Sequence, residues 1–421
     1  MVDSHRDFFE RMSRVSVSLN AIRSDFNQPS IEERDARWTR LRSEMARRGI
    51  DCLLINGHSG RWNDGNNNIR YVVNYADPIS AQCFAIFPRE GEGTLLTHFQ
   101  PKRSAYAMSW FEDIRGMQAQ RLAANLHERL TDLGIRNGTL GMVDIFVFEH
   151  DSIGIPWNYL EDVRRLLPDV KFVDATDMFY EMRSVKSPEE IACLAQSARL
   201  VDIGFEAHVE LAAEGIEERQ LFAGVIRAMD AAGAEPPTTF LLQSGPMPYE
   251  TLTQDPIPSG RRLEPGDVII SETSPKWGGY QAQGLQCIVL GKATAEMREL
   301  ARHAAEVWHT CADLIRPGNR VDDVVNAADP LIERARRTKL GGLADSLRPL
   351  LAGAGLGGLD PYPVGGIIQR NQAFMLEIGP GGRPYLPAQH VNGGYLIVST
   401  EGAPRHFDGS HPIEDRLLVE V

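Results

Sequence analysis

The chain has 421 residues and a formal net charge of −13, a length that exceeds the usual single core and predicts two domains. An acidic chain without a run of Lys or Arg repels a phosphate backbone, so nucleic acid is excluded as an expected partner. The five cysteines are odd in number and have no C-x-x-C spacing, which predicts a reducing compartment, no disulfides and no structural zinc site. There is no run of eighteen apolar residues and no apolar leader, so we expect a cytoplasmic protein that does not interact with membranes.

The first half of the sequence alternates between helical and strand patterns. Trp38, Leu41 and Met45 have helical spacing, and an apolar run of strand length follows directly. Similar runs predict strands at 52–55, 69–73, 83–87, 94–97, 140–143 and 172–173. Longer periodic segments predict helices near 119–133 and 157–166. This alternation is typical of a layered α/β domain.

The pattern changes at Met182-Arg-Ser-Val-Lys-Ser-Pro-Glu-Glu-Ile191. Ser187 is suited to cap a helix, Pro188 to occupy its first position, and Glu190 to complete a capping box. Beyond this point the sequence predicts helices at 188–212, 216–232, 293–314 and 320–337. It predicts strands at 239–242, 268–272, 286–290, 374–378 and 395–398. The second half is therefore expected to pack helices on a sheet.

One glycine-rich segment, Gly353-Ala-Gly-Leu-Gly-Gly358, matches the G-x-G-x-x-G pattern of dinucleotide-binding sites. That interpretation requires a strand before the motif and a helix after it. Pro361 and Pro363 follow instead and block a helix. We therefore predict a glycine-rich loop over a pocket, and no dinucleotide cofactor.

Three segments carry a further signal: the R-x-x-K-S-x-x-E-I phrase at Arg183, the strand pair that contains Glu272 and Gln283, and the segment Phe374-Met-Leu-Glu-Ile-Gly-Pro380. Together they resemble the creatinase and aminopeptidase P family, the M24 or pita-bread enzymes. The resemblance covers about 35–421 and implies an α+β fold class. It implies a creatinase-type N-terminal α/β domain over 35–178, after an extension of residues 1–34, and a catalytic pita-bread α+β barrel over 179–421. It also implies a homodimer.

In metal-dependent relatives the resemblance implies two divalent cations held by carboxylates and one histidine. By that comparison the ligand positions in this chain carry Glu272, Gln283, Ala354, Glu377 and Gly393. A neutral amide is a weak ligand, and alanine and glycine offer no side-chain ligand. The sequence therefore predicts a metal-ligand-deficient member of the family, with no bound metal and no other cofactor.

The two remaining carboxylates, Glu272 and Glu377, are expected to face one cavity. Two carboxyl groups in a partly desolvated site cannot both ionise easily, so one pKa should rise, which gives an acid and a base. Gln283 is placed to orient a carbonyl or a water, and His390 is a candidate replacement acid/base. The alternatives are that both glutamates are hydrogen-bonded structural remnants and that His390 is solvated in its loop.

Candidate substrate-binding residues come from two further segments. The loop at 60–71 is polar and aromatic, so Arg61, Trp62 and Arg70 are candidates for binding an anionic or aromatic group. Tyr249 and Tyr280 are candidate hydrogen-bond donors to a substrate. The alternative is that Trp62 packs internally and the neighbouring asparagines cap turns.

The resemblance to creatinase, which cleaves a C–N bond without a metal, implies a first hypothesis. It is a metal-independent hydrolase that acts on an amide or amidine of a small polar metabolite through carboxylate acid/base catalysis. The histidine-bearing segment of creatinase resembles residues 240–255, where this chain has no histidine, and a second creatinase glutamate falls at Leu285. Three alternatives therefore stay open: a lyase or isomerase in the same pocket, a catalytically inactive binding module, and a metal-dependent peptidase of aminopeptidase P or prolidase type.

Overall fold

The structure is a computed structural model that describes residues 27–57, 67–75, 83–98, 101, 103–117, 122–144, 157–246, 256–360, 366–379, 393–407, 409 and 411–421. The chain divides into two compact units, one ending at Phe179 and one beginning at Tyr180, and each is described by itself. Within the described ranges, no helix has the length and apolar character needed to cross a membrane.

Unit 1 contains a mixed sheet flanked by helices. Its helices are α1 (Ile31–Arg48), α2 (Asn67–Val73), α3 (Arg103–Met108), α4 (Leu122–Asp132), α5 (Trp157–Leu166) and α6 (Thr176–Ser184), the last of which ends in unit 2. Its strands are β1 (Cys52–Asn56), β2 (Phe84–Pro88), β3 (Thr94–His98), β4 (Asp113–Met117), β5 (Thr139–Val143) and β6 (Lys171–Asp174). In the described part of the unit these strands pair in the order β4-β3-β2-β1-β5-β6.

The predicted strand at 69–73 is wrong, because these residues belong to helix α2. Every residue of α2 is buried, so the helix has no polar face that would show its period in the sequence. A short apolar run of this kind does not distinguish a strand from a buried helix. The indole Nε1 of Trp38 donates to the carbonyl of Val72 at 2.8 Å, which ties α1 to α2.

Unit 2 contains the larger sheet and its covering helices. The helices are α7 (Pro188–Leu211), α8 (Glu218–Ala231), α9 (Ala295–Ala312), α10 (Val321–Asn326), α11 (Asp329–Arg336) and α12 (Ile413–Leu417), with a 3-10 turn at Gly341–Leu347. The first strands are β7 (Thr239–Pro246), β8 (Asp267–Ser274), β9 (Lys276–Trp277), β10 (Tyr280–Gln281) and β11 (Gly284–Val289). The remaining strands are β12 (Pro349–Gly355), β13 (Gly358–Asp360), β14 (Ala373–Ile378), β15 (Gly393–Val398), β16 (Arg405–His406) and β17 (Val419–Glu420).

The main sheet of unit 2 follows the order β13-β12-β14-β15-β11-β8-β7, with β16 on β15 and β17 on β11. Helices α7 and α8 cover one half of it, where their apolar side chains pack against β7, β8 and β11. Helix α9 covers the other half, where Trp308 packs with β14 and β15 and donates its indole hydrogen to the carbonyl of Leu376 at 3.2 Å. The sheet face under these helices is called the helix face below.

The start of α7 confirms the predicted capping box. The Ser187 hydroxyl accepts from the amide of Glu190, whose carboxylate accepts from the amide of Ser187. The predicted helix at 320–337 is instead two helices, α10 and α11.

The glycine-rich segment is a hairpin, so the predicted loop is wrong in its first half. Strand β12 continues to Gly355, the chain turns at Gly357 with a φ of 67°, and β13 returns along β12. A strand rather than a helix therefore follows the G-x-G-x-x-G match, in agreement with the rejection of a dinucleotide site. The prediction failed because glycine and alanine give no apolar alternation that would identify a strand.

The R-x-x-K phrase before α7 forms a buried ion triad with Asp360 of β13. Arg183 donates to one oxygen of the Asp360 carboxylate, and the Lys186 ammonium donates to the other at 2.7 Å. All three side chains are at most 3% exposed. A Cβ at Gly355 would overlap this carboxylate, so glycine at that position leaves the space that the triad occupies.

His208 near the end of α7 is fully buried, and burial lowers its pKa to about 3. The unfolded chain takes up this proton near pH 6.5, whereas the folded chain does not. Stability should therefore fall by about 1.4 kcal/mol per pH unit from pH 6.5 down towards 3. We expect wild type to lose about 1.4 kcal/mol more than His208→Gln between pH 7.5 and 5.5 in urea unfolding. Equal losses in both proteins would contradict this assignment.

Candidate active site

A single row of cross-strand neighbours connects the two predicted catalytic glutamates. Glu272 on β8 pairs with Leu285 on β11, Leu285 pairs with Gly394 on β15, and Gly394 pairs with Glu377 on β14. Directly paired residues of adjacent strands point to the same side of a sheet. Glu272 and Glu377 therefore project from one face of the sheet, which is called the site face below.

The two glutamates lie on strands that are three steps apart in the sheet. Adjacent strands lie about 4.8 Å apart, so three steps would separate the two glutamate Cα atoms by about 14 Å in a flat sheet. Leu241 pairs with Glu272 at one end of the row, and Leu350 pairs with Glu377 at the other. The two carboxylates are thus flanked by leucines, and only Leu285 and Gly394 lie between them in the row.

Gly394 makes room for the side chain of Glu377. A Cβ at Gly394 would lie 3.1 Å from Cγ of Glu377 and 2.8 Å from the carbonyl oxygen of Leu376. The Glu377 side chain consequently leans over β15, towards the middle of the row. Glu377 is itself buried, so a larger residue at 394 would displace it.

The residue beside Glu377 on the site face is Gly394, one position after the glycine that the resemblance indicated. Gly393 points to the opposite side, where a Cβ would meet Leu417 and Ile413 of α12. Neither glycine supplies a side-chain ligand. Ala354, at the position where the resemblance implies a histidine, is buried in β12.

Glu272 is half-buried near the end of β8. The hydroxyl of Ser274, two residues later on the same side of the strand, donates to its Oε1 at 3.2 Å. A hydrogen bond to a carboxylate oxygen favours the ionised form. Gln283 is also half-buried and directly precedes β11. It lies two residues before Leu285, a spacing that corresponds to the same side of a strand. Glu272 therefore lies on β8, and Gln283 lies directly before the adjacent strand β11.

The described residues offer a poor set of metal ligands. No three His, Cys, Asp or Glu side chains in the described part of the chain lie close enough together to hold a metal ion. The site face contributes Glu272 and Glu377. Of the other positions where the resemblance implies ligands, Gln283 has a neutral amide, and Ala354 and Gly393 have no side-chain ligand. This donor set does not fit a pair of divalent cations.

Two predicted substrate-binding residues are buried. Tyr280 is fully buried, and its hydroxyl donates to Oε1 of Glu190, the capping-box residue of α7, at 2.8 Å. Arg70 lies in α2 of unit 1 and is 4% exposed. The other predicted site residues lie outside the described residues: Arg61, Trp62, Tyr249 and His390.

Sequence reasoning missed Ser274 and Gly394, whereas the resemblance had already singled out Leu285. Ser274 lies two residues after Glu272, a spacing that places it on the same side of a strand, and this was the available signal. No sequence signal identifies Gly394 as the neighbour of Glu377, because that pairing depends on the register of β14 and β15.

Residues 37–185 match the Creatinase/Prolidase N-terminal domain, and residues 192–419 match metallopeptidase family M24. A creatinase from Bacillus sp. is 25% identical over 304 residues, which cover 70% of this chain and 69% of that protein. A Xaa-Pro dipeptidase from Pyrococcus horikoshii is 24% identical over 186 residues, which cover 43% of this chain and about half (52%) of that protein. An ectoine hydrolase from Halomonas elongata is 21% identical over 327 residues, which cover 72% of this chain and 77% of that protein.

Solved structures share the fold over nearly the whole chain. The X-Pro aminopeptidase from Thermotoga maritima superposes with a TM-score of 0.71 at 18% identity, covering 91% of this chain and 99% of that one. The prolidase from Pyrococcus horikoshii gives a TM-score of 0.68 at 19% identity, covering 90% of this chain and 99% of that one. These matches confirm the predicted α+β fold of a creatinase-type N-terminal domain followed by a pita-bread domain. The chain belongs to metallopeptidase family M24 and carries a creatinase/prolidase N-terminal domain.

Proposed function

We propose that the chain is a metal-independent, creatinase-like hydrolase that cleaves an amide or amidine C–N bond of a small polar metabolite. Glu272 and Glu377 are its acid/base pair. The observation that carries the proposal is the cross-strand row that aligns both carboxylates on one sheet face. Two carboxylates that flank a small molecule are a recurrent arrangement for acid/base chemistry.

In this mechanism one glutamate is ionised and acts as the base, and the other is protonated and acts as the acid. Two carboxyl groups in one partly desolvated site do not both ionise easily, so one can act as the acid and the other as the base. The ionised glutamate removes a proton from water as the water oxygen bonds to the carbon of the substrate. The protonated glutamate donates its proton to the leaving nitrogen as the C–N bond breaks. Hydroxide and proton of one water are thereby added across the bond, and Gln283 orients the carbonyl or the water.

We assign the roles by environment. The Ser274 hydroxyl donates to Glu272, which favours Glu272 as the ionised base. Glu377 is buried, with Leu350 and Gly394 as its strand partners, and we assign it the complementary role of acid.

Metal independence is the part of the proposal that departs from the family name. It is supported by the donor set, in which a glutamine, an alanine and a glycine occupy positions where the resemblance implies ligands. A metal-dependent dipeptidase is the second candidate, because Xaa-Pro dipeptidases are among the relatives.

Metal analysis separates these two candidates. We expect protein purified without chelator to contain less than about a tenth of an equivalent of metal, since such a donor set binds divalent ions weakly. EDTA should change neither thermal stability nor activity. Inductively coupled plasma mass spectrometry and a thermal melt provide the measurement. One or two metals per chain, with activity lost to EDTA, would contradict the proposal and support a peptidase.

The first compounds for a substrate screen are chosen from the names of the relatives. Creatine and ectoine follow from the creatinase and the ectoine hydrolase, and Xaa-Pro dipeptides test the peptidase alternative. Nuclear magnetic resonance of the products in deuterated water distinguishes hydrolysis from proton abstraction. Deuterium at carbon in recovered substrate would support a lyase or isomerase instead. We further propose a homodimer, which light scattering after gel filtration tests.

A further inference from the structure

A buried stripe on α7 runs along the β8–β11 strand pair, which carries Glu272. Its members recur at alternating intervals of four and three residues, the spacing of one helix face. They are Glu190, Leu194, Ser197, Val201, Gly204 and His208, all buried. A stripe facing a core is usually apolar throughout, whereas this one contains a glutamate, a serine and a histidine.

The polar members at the two ends of the stripe bond to the β8–β11 region. Glu190 accepts from the hydroxyl of Tyr280. At the other end, Nδ1 of His208 lies 3.0 Å from the Ser271 hydroxyl and 2.8 Å from the Gln286 amide nitrogen. Ser271 and Gln286 are register partners, one residue before Glu272 and one after Leu285. His208 therefore contacts the helix face directly behind the catalytic row.

Ser197 lies between these two contacts and joins the ends of the connection from β8 to β11. It is completely buried, its hydroxyl donates to the carbonyl of Pro275 at 2.7 Å, and it accepts from the amide of Ala282 at 2.8 Å. Pro275 directly follows β8, and Ala282 directly precedes Gln283. One hydroxyl thus fixes the backbone on both sides of the connection, three residues after Glu272 and one before Gln283.

Small residues let α7 approach the strands closely at the middle of the stripe. A Cβ at Gly284 would overlap the Val201 side chain, and a Cβ at Gly204 would lie 2.8 Å from Met229 Sδ of α8 and 3.3 Å from Thr273 Cγ2 of β8. The Thr273 hydroxyl in turn donates to the carbonyl of Gly284 across the strand pair at 3.1 Å. This close packing leaves the Pro275 carbonyl and the Ala282 amide dependent on Ser197, because a buried backbone group needs a partner.

We propose that Ser197 is a positioning residue that sets the relative placement of Glu272 and Gln283 by fixing the backbone at Pro275 and Ala282. It touches no substrate and acts through the strand pair. The expected effect on kcat rests on the proposed function, whereas the expected effect on the backbone at Pro275 and Ala282 does not.

The test compares Ser197→Ala with Ser346→Ala. Ser346 is a buried serine of the same unit whose hydroxyl, among the described residues, donates to the nearby carbonyl of Leu343 alone. Losing the Ser197 hydroxyl leaves two buried backbone groups unsatisfied, so amide exchange at Ala282 and Gly284 should accelerate about 10-fold or more. We expect kcat on the substrate found in the screen to fall about 10-fold or more, with KM changed by less than about threefold. Ser346→Ala should change neither local exchange nor kcat.

Different outcomes separate the two proposals. Unchanged amide exchange in Ser197→Ala would overturn the positioning role without any substrate. Faster exchange with a kcat equal to that of Ser346→Ala would overturn it as well. A fully active Glu377→Gln would instead overturn the proposed function, and the exchange data would then decide the backbone role alone. If Ser197→Ala does not fold, Ser197→Cys, which keeps a weak donor of similar size, replaces it in both measurements.

Discussion

Glu377→Gln is expected to lower kcat by about 100-fold to 10,000-fold, the range associated with loss of a positioned acid or base. Glutamine has nearly the same shape as glutamate but neither holds nor transfers the proton. The buried position of Glu377 over Gly394 should accept the amide with little change in fold. Steady-state kinetics on the substrate found in the screen, with a thermal melt of the same sample, is the measurement.

Glu272→Gln should have an effect of similar size. The double variant should be little worse than either single one, because residues that act as a unit are strongly non-additive. Glu401→Gln is the control, since Glu401 is exposed and its nearest ion-pair contact, to Arg370, is 3.8 Å long. A Glu377→Gln protein that keeps more than about a third of wild-type kcat would exclude acid/base catalysis by this residue.

Asp360→Asn is expected to lower the free energy of unfolding by about 3–5 kcal/mol, the cost of leaving buried charge without its partner. Arg183 and Lys186 share this single carboxylate, and all three side chains are buried. Lys186→Met should cost less, because Arg183 and Asp360 then remain as a neutral pair. Urea unfolding followed by circular dichroism measures both changes.

The control for this comparison is Glu333→Gln, which breaks an exposed ion pair with Arg336. That change should cost less than about 1 kcal/mol, as is usual for surface pairs. If Asp360→Asn is no more destabilising than Glu333→Gln, the triad does not stabilise the folded state. A larger loss in Lys186→Met than in Asp360→Asn would contradict the charge argument.

The sequence predicted those elements whose signals are local. The capping box at Ser187 and Glu190 formed as expected, because a cap depends on residues three apart in the chain. Helix α5 occupies the predicted segment, since one amphipathic face produces a periodic pattern. Where local signals were weak, as in the buried helix α2 and the glycine-rich strand β12, the prediction failed.

The candidate site was predictable only in part. The chain alone singled out Glu272, Gln283 and Glu377, because a resemblance is carried by short motifs. It did not show that Tyr280 is bonded to Glu190, or that Asp360 neutralises part of the charge on the R-x-x-K phrase. These partners lie about ninety or more residues apart in the chain.

By itself, the sequence determined the family and the order of the two domains and singled out the two carboxylates as candidates, since motifs and periodicity are properties of short segments. Only the tertiary structure decided that Gly394 lies beside Glu377 and that Ser197 holds the strand pair behind Glu272. Strand register is set by backbone pairing over the whole sheet, and a shift of one residue would turn either glutamate to the opposite face. The site therefore depends on long-range pairing that no single segment of the chain encodes.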